Sequence, residues 1–151
     1  MLGGIKMKVS TKGRYGLRAM ADLTLNSKNE HITLKSIAQR QSISENYLEQ
    51  VFSALKKAGL VNSIKGPQGG YTLSDEASNI TVGKILRVLE GDLSVIAEES
   101  SRVNIVEDCL KMVVWDKINQ CVDELVDSIT LEDIAETYSK LAVNEAYMYF
   151  I

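Results

Sequence analysis

The chain has 151 residues, 45% apolar and 25% charged, with one Pro, ten Gly and two Cys; this is a globular composition and excludes collagen-like or Pro-rich disordered material. No apolar run reaches the roughly 18 residues a membrane span needs. The opening segment MLGGIKMKVSTKGRYG has no apolar signal stretch, and two Cys without one point to a reducing, cytoplasmic setting in a bacterial cell. The net charge of −3 hides a division: residues 1–71 hold eleven Lys and Arg against four Asp and Glu, and residues 72–151 hold six against sixteen. One half of the chain is therefore suited to a polyanion and the other is not.

The predicted elements follow in chain order. Tyr15, Ala19, Met20 and Leu23 fall at helical spacing and predict a first helix over 11–26. Two helix starts of one form come next, Ile32-Thr33…Ile37 and Ile43-Ser44…Leu48. In each, a hydroxyl can accept from an orphan backbone N–H, and two apolar residues five apart form a hydrophobic staple. They open a short helix over about 34–40 and a longer one over about 45–58, joined only by Gln41, Ser42 and Ile43, a helix-turn-helix spacing. The longer helix carries Leu48, Val51, Phe52 and Leu55 on one face, shows Asn46, Glu49, Gln50, Ser53, Lys56 and Lys57 on the other, and stops at Gly59. Two alternating runs, Leu60–Ile64 and Tyr71–Leu73, flank Lys65-Gly66-Pro67-Gln68-Gly69-Gly70 and read as a hairpin. Further starts of the same form occur at Ile80-Thr81…Ile85 and Ile129-Thr130…Ile134, the latter with Asp133 at the capping-box position. Between them residues 105–127 read as one long helix, and a last helix runs from Leu131 to about Tyr147.

Helix-turn-helix followed by a hairpin is a mainly α winged-helix fold. We expect a DNA-binding unit over 8–91, with the helix-turn-helix at about 34–57 and the wing at about 60–73, followed by an effector loop and dimerisation helices over 92–151. Such a fold lays its second helix in the major groove, so base contacts are expected from Ser44, Asn46, Tyr47, Glu49 and Gln50. Gln and Asn can fork onto adenine, and Glu can accept from cytosine. Phosphate and minor-groove contacts are expected from Lys12, Arg14 and Lys56 and, at the wing, from Lys65, Gly66, Gln68 and Gly69. Ser/His/Asp sets, HExxH and GK[ST] phosphate loops are all missing from the sequence, so no enzyme is predicted.

Four blocks, STKGRYG at 10–16, SENYLEQ at 44–50, GLV at 59–61 and GPQGGY at 66–71, resemble the winged-helix regulators of the IscR, NsrR and CymR family, also written the Rrf-two family. The resemblance covers about Lys8 to Tyr138. It implies a homodimeric regulator, in keeping with a repressor, on a roughly palindromic operator of double-stranded DNA. It also implies that Asn46, Tyr47, Glu49 and Gln50 read bases and that Lys65 occupies the wing position. Family members usually have Arg there, and Lys binds as a point charge without the fork.

The same resemblance divides by signal. One branch holds an iron–sulfur cluster on three Cys, with a His completing the set in IscR. Here Asp92 to Val106 contains no Cys, Cys109 falls where the third Cys stands, and Met112 falls where the His stands. No cofactor and no metal are therefore expected, as in the CymR-like branch that governs cysteine and sulfur metabolism together with cysteine synthase. The alternatives are a cluster- or redox-sensing regulator using Cys109, and a protein-only interaction module. On the long helix Val106, Leu110, Val114, Ile118, Cys121 and Leu125 follow one rhythm, expected as the dimerisation stripe with Cys121 as a small hydrophobe. Cys109 and Cys121 lie about 18 Å apart along one helix and cannot pair within it.

Overall fold

The computed structural model describes residues 8–96 and 104–149. In order it runs α1 (Thr11–Asn26), α2 (Leu34–Gln41), α3 (Glu45–Lys57), β1 (Val61–Ile64), β2 (Gly70–Leu73), α4 (Val82–Glu90), α5 (Ile105–Leu110), a π-helical turn (Lys111–Trp115), α6 (Asp116–Ser128) and α7 (Leu131–Tyr149). Part of the expected effector loop, residues 97–103, lies outside the described residues.

The four Ile-Ser/Thr starts all cap helices. Thr33 Oγ1 accepts from Ser36 N at 3.1 Å, Ser44 Oγ from Tyr47 N at 3.4 Å, Thr81 Oγ1 from Lys84 N at 3.1 Å and Thr130 Oγ1 from Asp133 N at 3.1 Å. Asp133 completes the box by accepting from Thr130 N at 2.9 Å, so two orphan donors are satisfied reciprocally. The last two starts also hold each other. Val82 N donates to Ile129 O and Leu131 N to Ile80 O, which places the beginnings of α4 and α7 side by side.

Ala19, Met20 and Leu23 of α1, Ile37 of α2, and Leu48, Val51, Phe52 and Leu55 of α3 are buried in one core with Val61, Ile80, Ile85 and Leu89. Burying each such large side chain contributes about 1.5–3 kcal/mol. Leu131 at the start of α7 is buried in the same core, so the second region of the chain is rooted in the first. Helix α1 lies close on α4 at Gly16, where a Cβ would overlap Leu89. The N-terminus of α1 is held there by Glu90, whose carboxylate accepts from Ser10 N at 2.9 Å, Gly13 N at 3.1 Å and the Ser10 hydroxyl. An anion at that end also suits the helix dipole.

The strands pair antiparallel with Val61 opposite Leu73 and Ile64 opposite Gly70. A third piece of extended chain, unpredicted from sequence, joins them: Ile32 N donates to Tyr71 O at 2.9 Å and Tyr71 N to Ile32 O at 2.8 Å. The wing is thereby anchored to the segment that leads into α2.

The single stripe expected along residues 105–127 is not observed. The π-helical turn at Lys111–Trp115 inserts extra backbone into the i→i−4 ladder and shifts the register of α6 relative to α5. Ile118, Val122 and Val126 turn inward with Leu86, Leu93 and Val95 to line a cavity of about 280 Å³. Val114 is half-buried as well, whereas Val106, Leu110, Cys121 and Leu125 are exposed in the single chain. Cys121 is thus not a core residue of one subunit. Arg87 ties α4 to α6, donating to Asp123 at 3.0 Å and to Asp127 at 3.1 Å, and its hydrogen bond holds the Asp127 carboxyl below the usual carboxylate range.

Candidate nucleic-acid interface

Helix α3 separates its faces as its spacing demands. Leu48, Val51, Phe52 and Leu55 are buried, while Glu45, Asn46, Glu49, Gln50, Ser53, Lys56 and Lys57 are exposed. Among the described residues Asn46, Glu49 and Gln50 have no side-chain hydrogen-bond partner, so their donors and acceptors are available to an incoming ligand. Ser44 is exposed but already accepts from Tyr47 N at 3.4 Å as the N-cap. Tyr47 is half-buried against the core, and its ring meets that of Tyr15 edge-on at 6.1 Å between centroids. Two of the five predicted base-contacting residues therefore carry structural duties inside the chain.

The wing tip is a tight turn closed by Gly69 N donating to Gly66 O at 2.9 Å. Lys65, Gly66 and Gln68 are exposed there and Gly69 is half-buried. Lys12 and Arg14 are exposed on the first turns of α1, and Lys56 on the last turn of α3. The basic half thus offers cations on α1, at the end of α3 and at the wing tip.

A network invisible to periodicity holds α1 to the helix-turn-helix. Asp22 of α1 has only 2% of its side chain exposed, against 38% for its partner Arg40. Arg40 Nη2 donates to Oδ1 at 2.7 Å and Nε to Oδ2 at 3.0 Å, and Gln41 Nε2 adds 2.8 Å to Oδ2. Fork geometry of this kind is the strong form of ion pair; it holds the Arg40 guanidinium still more firmly protonated than usual. The signal available from sequence was an acid, Asp22, on the apolar side of α1 beside Leu23, which needs a partner once buried.

Thiolate chemistry is poorly supplied. Cys109 and Cys121 are both exposed and free, on α5 and α6 of one continuous helical run. Among the described residues no group of three or more His, Cys, Asp and Glu is arranged to hold a metal ion, and the chain has two Cys in all. With two Cys and one His in the chain, one subunit falls short of the four Cys, or Cys with His, that hold such clusters. No helix among the described residues is long and apolar enough to cross a membrane.

Three comparisons with known proteins bear on this surface. The model of the Rrf2 family, described as iron-dependent transcriptional regulator, matches residues 9–137. The HTH-type transcriptional regulator CymR of Bacillus subtilis (strain 168) is 47% identical over 145 residues, covering 96% of this chain and all of that protein. Its solved structure, that of the global cysteine regulator of B. subtilis, superposes with a TM-score of 0.75 over 87% of this chain and 98% of that one. The structure of IscR from T. potens gives the same TM-score of 0.75 at 43% identity, covering 95% and 97% of the two chains.

Proposed function

The chain belongs to the Rrf2 family of transcriptional regulators, and from that membership we propose that it works as a homodimeric repressor that reads a roughly palindromic operator through α3. As a member of the family it is a DNA-binding regulator and not an enzyme. The observation that carries the finer reading is the uncommitted polar row Asn46, Glu49 and Gln50, exposed on a helix whose opposite face is locked into the core. Ser44 and Tyr47 stand at the start of that row. Lys12, Arg14, Lys56 and the wing residues Lys65, Gly66, Gln68 and Gly69 supply backbone and minor-groove contacts. Residues 8–91 carry the DNA contacts, and 92–151 carry pairing and signal reception.

Replacing Gln50 with Ala should cost about 1–3 kcal/mol on the preferred operator and relax preference at one position. Replacing Lys56 with Ala should weaken binding to every sequence alike and reduce the salt slope by about 1, the signature of one phosphate contact. Anisotropy titrations of both variants on specific and random duplexes check this. Equal losses on the two duplexes for Gln50→Ala would remove that face from base readout.

Pairing is proposed through the exposed apolar side of the long helix, where Val106, Leu110, Cys121 and Leu125 meet water in a single chain; Val114 and Ile118, expected in the same stripe, lie toward its inner edge. A two-fold axis between copies is the common solution for such a face and implies two half-sites in the operator. The CymR relative is a cysteine regulator, and we extend control of cysteine or sulfur genes to this chain, with cysteine synthase as a protein partner. Pull-down from cell extract tests that partner directly.

The two-Cys inventory supports a regulator with no cluster of its own. Anaerobic reconstitution of the dimer with iron and sulfide should leave no stable visible absorbance. The substitution Cys109→Ala should leave operator affinity within about 0.5 kcal/mol, as for a change away from any functional feature. Stoichiometric iron and sulfide that disappear with Cys109→Ala would instead place the protein among cluster sensors.

A further inference from the structure

Helix α1 bears no base-reading residue, yet a continuous chain of contacts runs from it to the start of the recognition helix. Arg18 of α1 donates from Nη1 to the carbonyl of Gln41 at 3.3 Å, the residue that ends α2 and whose side chain is bound to buried Asp22. The Arg18 guanidinium lies over the Tyr15 ring, 4.9 Å from its centroid. Tyr15 in turn meets Tyr47 edge-on, with centroids 6.1 Å apart and ring planes at 79°. Tyr47 stands in the first turn of α3, next to Asn46 and two residues before Glu49.

We propose that Tyr15 and Arg18 are positioning residues for base recognition: Arg18 fixes the Tyr15 ring through its cation–π contact and its bond to the α2–α3 turn, and Tyr15 fixes Tyr47 and with it the pose of the polar row of α3. The physical case is one of tolerance. Forked hydrogen bonds to a base edge need placement to a fraction of an ångström, so a small rotation at the start of α3 degrades them. Phosphate contacts from flexible Lys side chains absorb the same rotation. Tyr15 and Arg18 thus control discrimination between sequences more than affinity as such. This inference rests on the DNA-reading role proposed above for α3.

The test compares two duplexes of equal length: one selected by the wild-type protein from a randomised pool, the other a shuffled version of it. Tyr15→Leu should lower affinity for the selected duplex by about tenfold, roughly the loss of one base contact, while changing the shuffled duplex by less than about twofold. Tyr15→Phe keeps the ring and should retain wild-type discrimination. Arg18→Gln should show the same selective loss as Tyr15→Leu with an unchanged salt slope, and the double variant should lose little beyond either single one, because both act through one chain of contacts. Circular dichroism and melting curves confirm folding, and the exposed position of Arg18 makes its variant informative even where Tyr15→Leu folds poorly. Equal losses on both duplexes, a salt slope reduced by about 1 in Arg18→Gln, additive losses in the double variant, or no loss at all would overturn the proposal. Failure of the wild-type protein itself to distinguish the duplexes would overturn the underlying α3 reading instead.

Discussion

Replacing Arg40 with Ala is expected to destabilise the fold by about 3 kcal/mol, the lower end of what breaking a buried ion pair costs. The cause is the carboxylate left behind. Asp22 is 2% exposed, and without Arg40 its carboxylate keeps, among the described residues, only the Gln41 amide at 2.8 Å against the cost of burying a charge. The complementary change should be milder. Asp22→Asn retains an acceptor and releases a guanidinium that is already 38% exposed, so about 1–2 kcal/mol is expected. Urea unfolding at one fixed protein concentration measures both, fixed because the proposed pairing would couple apparent stability to concentration. Equal costs for the two variants would mean that the asymmetry of burial does not govern this pair.

The second large effect is expected at the base of the wing. Gly70 has φ of +152°, and a Cβ there would collide with the backbone of Ile32. No side-chain rotation relieves a clash with backbone, so Gly70→Ala should cost about 2–3 kcal/mol and release the Ile32–Tyr71 bridge. Hydrogen exchange at the Ile32 and Tyr71 amides, which donate at 2.9 and 2.8 Å, should accelerate in the variant well beyond the amides of α4. Unchanged protection at both positions would show that the wing does not depend on this approach. DNA affinity should fall as well, because Lys65 and its neighbours would lose their fixed relation to α3.

The helix-turn-helix and wing were legible because each boundary carries local chemistry. A hydroxyl after an Ile, a matching apolar residue five positions on, and Gly59 or Gly66–Gly70 at the turns act over a few residues, and each helix start and both strands fell within one or two residues of expectation. The polar face of α3 was legible for the same reason, since burial of Leu48, Val51, Phe52 and Leu55 follows directly from period. What escaped was long-range. The partner of Asp22 lies 18 residues away in Arg40, Ile32 bonds to Tyr71, and Tyr15 finds Tyr47, none of which periodicity can announce. The π-helical turn at Lys111–Trp115 escaped for a different reason. A regular 3.6-residue rhythm from Val106 through Ile118 assumes an unbroken ladder, which the inserted turn shifts between α5 and α6; within α6 the inward face is Ile118, Val122 and Val126, which leaves Cys121 and Leu125 outside it.

That the α3 face reads sequence on DNA is tested most directly by titrating the wild-type protein against a duplex selected from a randomised pool and against its shuffled counterpart, each over a range of salt. The expected result is at least about a thousandfold preference for the selected duplex, with two chains bound per duplex and log affinity falling linearly with log salt. Equal affinity for the two duplexes, or no binding to either at low salt, would contradict it.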